Sequence, residues 1–452
     1  MVKGLRLGSE ALILEKAASL LYSSPLCDRC LGRFFARLGY GWDNRLRGAS
    51  IKALLVMSLH ARIREGDERA REVFLEIAGN IGAKASGLYR ELTGGDLEAK
   101  PCILCGGNIE EFIENVARKA VRLLKSYDVS RFVVGVRLNK EIRELEERLK
   151  MEHGIEYGES IKAELRREIG KRIQKLASVE VDFSSPEATI LVDYPSGEVD
   201  VKPSSLFVRG TYWKKGRMIS QAYWPSPTGP RYYSVEQASW PLLRIARAER
   251  VVLHAMGRED VDARMLGTGR PVVVELKQPM KRRINLEEAE KVVNRESGSL
   301  VEFRFEGFTD RKTVILYKED ASSTKVYKAL ILLGEPISVE EVLKALESLR
   351  GAVINQWTPQ RVLHRRANVL RRKRLHDIRC TGVMPGLIEC LIKADAGLYI
   401  KELVSGDNGR TNPSIAGVLG TGAQCIELDV VGVEPAAAPS TVHPGELTGR
   451  PG

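Results

Sequence analysis

The run Gly257-Arg258-Glu259-Asp260-Val261-Asp262-Ala263-Arg264-Met265-Leu266-Gly267 decides how the chain is read. An apolar segment, Val251-Val252-Leu253, precedes it and another, Pro271-Val272-Val273-Val274, follows, so it reads as a polar loop between buried segments that include strands. Such loops are a common seat for a catalytic carboxylate. Arg258, Glu259, Asp260 and Asp262, with Arg264 behind them, sit beside glycines that permit tight turns and close approach of a ligand. Charge and spacing alone favour a bland alternative, a solvated loop with self-compensating charges, because structural ion pairs outnumber catalytic ones.

The 452 residues are enough for two or three domains that each bury a core. With 43% apolar and 29% charged residues, the composition is that of a water-soluble globular protein. No apolar run approaches the ~18 residues that span a bilayer, and the N-terminus lacks a signal-peptide pattern, so a cytoplasmic protein without a membrane partner is expected. The 70 Lys and Arg against 59 Asp and Glu give a net charge of +11, which suits a polyanionic partner without identifying one.

Upstream of the central run stand two C-x2-C knuckles, Cys27-Asp28-Arg29-Cys30 and Cys102-Ile103-Leu104-Cys105. Four thiolates from two knuckles complete one tetrahedral structural zinc site, and Gly106-Gly107 let the backbone turn its amides toward the sulfurs. The long intervening segment implies a helical subdomain inserted between the halves of the site. A redox pair and two unrelated buried pairs are the competing readings. Cys380, Cys390 and Cys425 are isolated and read as core or incidental residues, with no disulfide framework expected.

From Glu111, Ile113, Val116, Ala117, Ala120 and Leu124 recur at helical spacing, and Phe132–Val136 then reads as a buried strand. A charged stretch, Lys140–Lys150, leads to a second amphipathic helix with Ile161, Leu165, Ile169, Ile173 and Leu176 in line. Most of its interleaved charges read as solvated i,i+4 pairs. Ala188–Tyr194, the turn Pro195-Ser196-Gly197 and Glu198–Val201 predict a hairpin. Leu206–Lys215 reads as an aromatic strand mixed with basic residues, Trp224–Pro230 as a proline-rich turn, and Ser234 as the start of a helix. Beyond Val433 the chain is rich in Ala, Pro and Gly and is expected to fray.

Downstream, three further words stand out: Lys325-Val326-Tyr327-Lys328-Ala329; Thr358-Pro359-Gln360-Arg361-Val362-Leu363-His364-Arg365-Arg366-Ala367; and Gly397-Leu398-Tyr399-Ile400-Lys401. The window Arg361–Arg379 holds eight Lys or Arg and a single acid, Asp377, which suits phosphate contacts with counterion release; interleaved Val362, Leu363, Val369 and Leu370 favour a folded element over a localisation signal. Together with Gly257–Gly267 and Gly269-Arg270-Pro271, these words resemble those of the archaeal and eukaryotic tRNA pseudouridine synthase family that acts on uridines 54 and 55. The segment of about 100 residues after the second knuckle resembles, in order and size, the RNA-binding THUMP domain.

The resemblance implies an α+β multidomain chain. A zinc-knuckle helical region (1–110) and a THUMP-like α/β domain (111–203) would precede a catalytic domain (204–435) on a mixed, largely antiparallel sheet flanked by helices, with a flexible tail (436–452). It implies isomerisation of uridine in the TΨC loop of tRNA, at position 54, 55 or both, by a monomer that needs no catalytic cofactor. By motif position, Asp260 is the nucleophile, with Asp262 its rival in register, and Lys401 is the counter-charge. Tyr327, Tyr399, Leu419 and Arg258 fall in the substrate pocket, Leu419 beneath the base, and Arg361, His364, Arg365 and Arg366 meet the RNA backbone. Leu398 replaces the family's usual Thr, a change that touches packing more than chemistry. Two alternatives stay open: a non-catalytic tRNA-binding or chaperone protein, and another THUMP-bearing tRNA-modifying enzyme. Against the latter stands the absence of a Gly-rich cofactor loop or P-loop word.

Overall fold

A computed structural model describes residues 9–224, 232–319 and 323–434. The chain divides into two compact units, Met1–Ser204 and Ser205–Gly452. Residues 225–230 of the proline-rich turn expected at Trp224–Pro230, and the tail expected from 436, lie outside the described residues.

The first unit opens with α1 (Ser9–Ser23), α2 (Asp28–Phe34), α3 (Asn44–Arg64), α4 (Glu68–Ile81) and α5 (Ser86–Thr93). Short acidic side chains start two of them: Asp43 accepts from Leu46 N at 2.9 Å and Asp67 from Ala70 N at 3.0 Å. Each satisfies a donor that the first helical turn leaves free. Helices α3 to α5 are the insertion that separates the two knuckles, and their apolar faces close over Leu20, Leu31, Phe34, Phe74 and Ile77.

The α/β half of this unit follows as α6 (Ile109–Leu124), β1 (Arg131–Leu138), α7 (Lys140–Glu152), α8 (Ile161–Leu176), β2 (Glu180–Val181), β3 (Ala188–Tyr194) and β4 (Val199–Pro203). Sheet order is β2-β1-β3-β4, with β1 parallel to both neighbours and β3–β4 the expected hairpin. Alternation along β3 buries Ala188, Ile190, Val192 and Tyr194 in the core that α6 and α8 cover. Two charges on α7 and α8 stand apart from the solvated ones. Glu146 and Glu164 are buried on Arg33, at 3.0 and 3.1 Å. The cause is tertiary: α2 packs on α8 and covers a face whose pattern looks polar.

The second unit comprises β5 (Leu206–Lys214), α9 (Val235–Ala238), α10 (Pro241–Ala246), β6 (Arg250–Ala255), β7 (Arg264–Lys277), α11 (Leu286–Glu296) and β8 (Val301–Thr309). It continues through α12 (Arg311–Glu319), β9 (Thr324–Leu333), α13 (Val339–Glu347), β10 (Val353–Trp357), β11 (Leu370–Met384) and β12 (Leu387–Asp395). Helix α14 (Ile400–Ser405), β13 (Thr411–Asn412), α15 (Ile415–Leu419) and β14 (Ala423–Glu434) complete it. A ten-stranded sheet runs β13-β10-β11-β12-β9-β14-β7-β5-β8, with β6 also on β7. Every pairing is antiparallel except β14–β7, which is parallel. The helix expected from Ser234 is two short ones, because Pro241, lacking an N–H, starts the second.

Two pairings overturn or refine the sequence reading. Cys380 and Cys390 are not incidental: they lie opposite each other on β11 and β12, Cα atoms 4.0 Å apart, and are disulfide-bonded. The hairpin around Pro385-Gly386 folds the two positions onto one another, a symmetry invisible when each cysteine is judged alone. Val431 O of β14 would lie 1.9 Å from a Cβ at Gly267, whose φ is +55°. Only glycine lets β7 and β14 meet there.

Candidate active site and metal centre

The loop between β6 and β7 is held from beneath by buried charge. Lys214, at the end of β5, donates to the carbonyls of Ile219, Asp260 and Val261 at 2.8, 2.9 and 3.3 Å. Its ammonium is pushed down to about 8 by burial, against the opposing pull of Glu259. Glu259 is itself buried and accepts from the Tyr212 hydroxyl at 3.0 Å and Arg270 Nε at 2.8 Å. Arg270 also donates to Met256 O at 2.7 Å, and Gln221 bridges the Tyr212 hydroxyl and Gly257 O at 2.9 and 3.0 Å. A buried carboxylate among these donors is stable only because each partner is present. The network fixes the backbone on both sides of Asp260.

Asp260 therefore projects from a rigid base into a cavity of about 450 Å³, within the range of ligand sites. Around it stand Arg258, Lys325, Tyr327, Arg361, Arg366, Arg371, Tyr399 and Lys401, with Leu428 and Val430 as apolar lining. Alternation on β9 puts Lys325 and Tyr327 on the core face, where burial pushes the Tyr327 phenol up to about 12 and keeps it protonated at neutral pH. Asp260 Oδ2 lies 3.0 Å from the Arg361 guanidinium and 3.9 Å from Lys401 Nζ. Arg361 is anchored in turn by Glu402 at 2.7 Å. Lys401 donates to Asp262 at 2.5 Å; burial works to raise that carboxyl, and the Lys401 contact more than offsets it, holding it below its ordinary range.

Tyr399 is fixed at both ends. Its backbone N donates to Gln356 Oε1 at 2.8 Å, its carbonyl accepts from Gln356 Nε2 at 3.0 Å, and its hydroxyl accepts from Arg366 at 2.8 Å. The guanidinium carbons of Arg361 and Arg371 lie 6.0 and 5.9 Å from its ring centroid, close enough for attraction to the ring face.

The structure thus gathers Asp260, Arg258, Tyr327, Tyr399 and Lys401 from separate words around one cavity. Three assignments differ. Leu419 does not line the cavity; it packs at the edge of the core, and Leu428 and Val430 occupy the apolar wall instead. Arg361, assigned to the RNA backbone, is the cation nearest Asp260, because the 3-10 turn Gln360–Arg365 directs it inward to Glu402. Lys401 makes its hydrogen bond to Asp262, which is not in the cavity lining. His364 is exposed away from the cavity, Arg366 faces it, and the Arg365 side chain lies outside the described residues. Sequence reading missed Tyr212, Lys214, Gln356 and Arg371, whose partners are distant in the chain or fall in other words.

In the first unit, the Sγ atoms of Cys27, Cys30, Cys102 and Cys105 lie within 4.8 Å of one another, with Cys105 3.5 Å from Cys27 and 3.6 Å from Cys30. A tetrahedron with Zn–S bonds of ~2.3 Å has sulfur edges of about 3.8 Å. The cluster therefore fits one metal ion. The Cys30 amide faces Cys27 Sγ at 3.4 Å, and the fully buried Arg33 guanidinium faces Cys30 Sγ at 3.5 Å, both suited to thiolate charge. Among the described residues no helix is long and apolar enough to cross a membrane.

Comparison with known proteins matches two family models: "Pus10, C-terminal" over residues 207–434 and "Pus10 THUMP domain, archaeal" over residues 116–193. The chain is 53% identical over 425 residues to the tRNA pseudouridine synthase Pus10 of Aeropyrum pernix, covering 93% of this chain and 97% of that one. It is 39% identical over 424 residues to the enzyme of that name from Ignisphaera aggregans, covering 93% and 98%. A solved Cbf5–Nop10–Gar1 complex aligns with 50% of this chain and 48% of its own at TM-score 0.30 and 15% identity.

Proposed function

The chain belongs to the Pus10 family of tRNA pseudouridine synthases, and from that premise we propose that it isomerises uridine in the TΨC loop of tRNA, at position 54, 55 or both, with Asp260 as nucleophile. The observation that carries the reading is Asp260 itself, a carboxylate on a rigid loop, directed into a cavity with Tyr327, Tyr399 and two cations.

In this isomerisation the bond from N1 to the ribose C1′ breaks and one from C5 to C1′ forms; C5 gives up a proton and N1 gains one. No atom or electron is added, so no cofactor is required. Asp260 attacks the nucleoside and releases the base, Tyr327 and Tyr399 confine it while it turns, and the walls exclude water. Arg361 and Lys401 balance the charge of the attacking carboxylate and aim it. Extruding the uridine from a folded loop costs a few kcal/mol, which basic contacts elsewhere offset. Arg258, Arg366 and Arg371 at the cavity are suited to the nucleotide's phosphates. The THUMP-bearing unit binds the tRNA, and the Cys27/Cys30/Cys102/Cys105 cluster takes one structural zinc.

The test uses an unmodified tRNA transcript and maps pseudouridine along it by chemical probing. Wild type should place it in the TΨC loop. Asp260→Ala should form none while binding the transcript with nearly unchanged affinity. Equal loss of product and binding would remove Asp260 from the chemistry. Tight binding with no product from wild type would leave a tRNA-binding protein.

A further inference from the structure

The loop between α2 and α3 carries Gly39-Tyr40-Gly41-Trp42-Asp43, with two aromatic residues exposed to solvent. Tyr40 is 99% exposed and Trp42 55% exposed. One exposed aromatic residue needs no explanation; two in three positions, on a loop this firmly built, do.

The construction is buried. Arg47, 5% exposed, donates to three carbonyls of the loop: Leu38 at 2.8 Å, Gly39 at 3.0 Å and Trp42 at 3.1 Å. It also donates to Asn44 Oδ1 at 2.5 Å, and Asn44 donates to Glu164 at 2.8 Å, the same carboxylate that receives Arg33 from beside the cysteine cluster. Glycines at 39 and 41, with φ of +67° and +83°, allow the turn, and the Trp42 ring rests about a van der Waals contact from where a Gly39 Cβ would be. At its start, Arg37 N donates to Tyr157 O at 2.9 Å, which ties the loop to the segment after α7. Arg37 and Arg45 are exposed, and neither guanidinium makes an ion pair or hydrogen bond among the described residues.

Exposed aromatic rings on a fixed backbone, flanked in the chain by free guanidinium groups, suit unpaired nucleobases and their phosphates: every base offers a π-face, and stacking needs no sequence match. A protein partner could also cover the rings, but it would not call for two free arginines beside them, in a chain of net charge +11. We propose that this loop is an RNA-contact site in which Tyr40 and Trp42 stack on unpaired bases of the substrate while Arg37 and Arg45 meet its phosphates. The proposal rests on the reading that the substrate is RNA and adds a binding element outside the catalytic cavity.

The experiment measures affinity of the full chain for an unmodified tRNA transcript and for a blunt RNA duplex, which offers few free base faces, across a salt series. Tyr40→Ala/Trp42→Ala should weaken tRNA binding about tenfold or more, leave duplex binding and the salt slope unchanged, and be rescued by Tyr40→Phe/Trp42→Tyr. Arg37→Ala/Arg45→Ala should instead flatten the salt slope by about two. Unchanged tRNA affinity, or equal loss on the duplex, would overturn the proposal. So would unchanged affinity with altered self-association, which would assign the rings to a second copy of the chain. If wild type bound tRNA but made no pseudouridine, the activity would fall and the affinity comparison would still judge the loop.

Discussion

Asp260 and Asp262, two residues apart, divide two cations between them. Arg361 hydrogen-bonds Asp260 at 3.0 Å, whereas Lys401 is 3.9 Å from Asp260 and 2.5 Å from Asp262. At an effective dielectric of about 20 both distances to Asp260 carry Coulomb attractions of similar size, so direct hydrogen bonding decides which cation orients it. Removing Arg361 should therefore slow the reaction more than it weakens RNA binding. Arg361→Ala is expected to lower the single-turnover rate of pseudouridine formation roughly tenfold or more, since a lost charge-assisted hydrogen bond is worth about 1.5–3 kcal/mol, with the salt slope of tRNA binding unchanged. A slope reduced by about one with the rate intact would return Arg361 to the phosphate contacts assigned by motif position. Asp260, Tyr327, Tyr399 and Lys401 were legible in the sequence because each sits in a compact word. The pairing of Arg361 was not, because its partners, Asp260 and Glu402, lie 101 and 41 positions away.

At the scale of elements, the short parallel pairing of β14 with β7 joins the sheet directly after the Asp260 loop. Asp429 of β14 stands in register with Arg264, the first residue of β7, accepts from its Nε at 2.8 Å and forms an ion pair with Arg217 at 2.9 Å. Burial works to raise the Asp429 carboxyl, but the Arg264 hydrogen bonds and the Arg217 charge overcome it and hold it below its ordinary range. Its native value is thus below the unfolded one, near ~3.9. The stabilisation is complete above that value and is lost as pH falls through the native one. Asp429→Asn should cost about 1–3 kcal/mol at pH 7 in chemical denaturation, and the gap to wild type should close as pH falls below the unfolded value and through the native one. A gap of constant size would mean that shape, not charge, does the holding. Strands β1, β3 and β5 were readable from short runs of β-branched and aromatic residues bounded by turn signals. The pairing of distant strands was not, since register depends on what lies on the far side of the sheet.

For the whole molecule, separate cores in the two units predict separate responses to metal loss. The cysteine cluster ties α2 to the segment after α5, and Arg33 beside it is buried on Glu146 and Glu164. Metal analysis should find about one zinc per chain. Chelation, or Cys102→Ser, should lower the calorimetric transition of the first unit and leave that of the second in place. A shift of both together, or of neither, would contradict a structural zinc confined to the first unit. By itself the sequence determined the family, the class of fold, the four cysteines that gather in one cluster and the carboxylate that faces the cavity. These are local matters, set by short words, spacing and the periodicity of apolar residues. Only the tertiary structure decided that Glu259 is a buried anchor and not a surface charge, that Glu146 and Glu164 are interior, that Leu428 and Val430 stand where Leu419 was expected, and that Cys380 meets Cys390. Burial and partnership belong to pairs of residues far apart in the chain, and folding alone brings those pairs together.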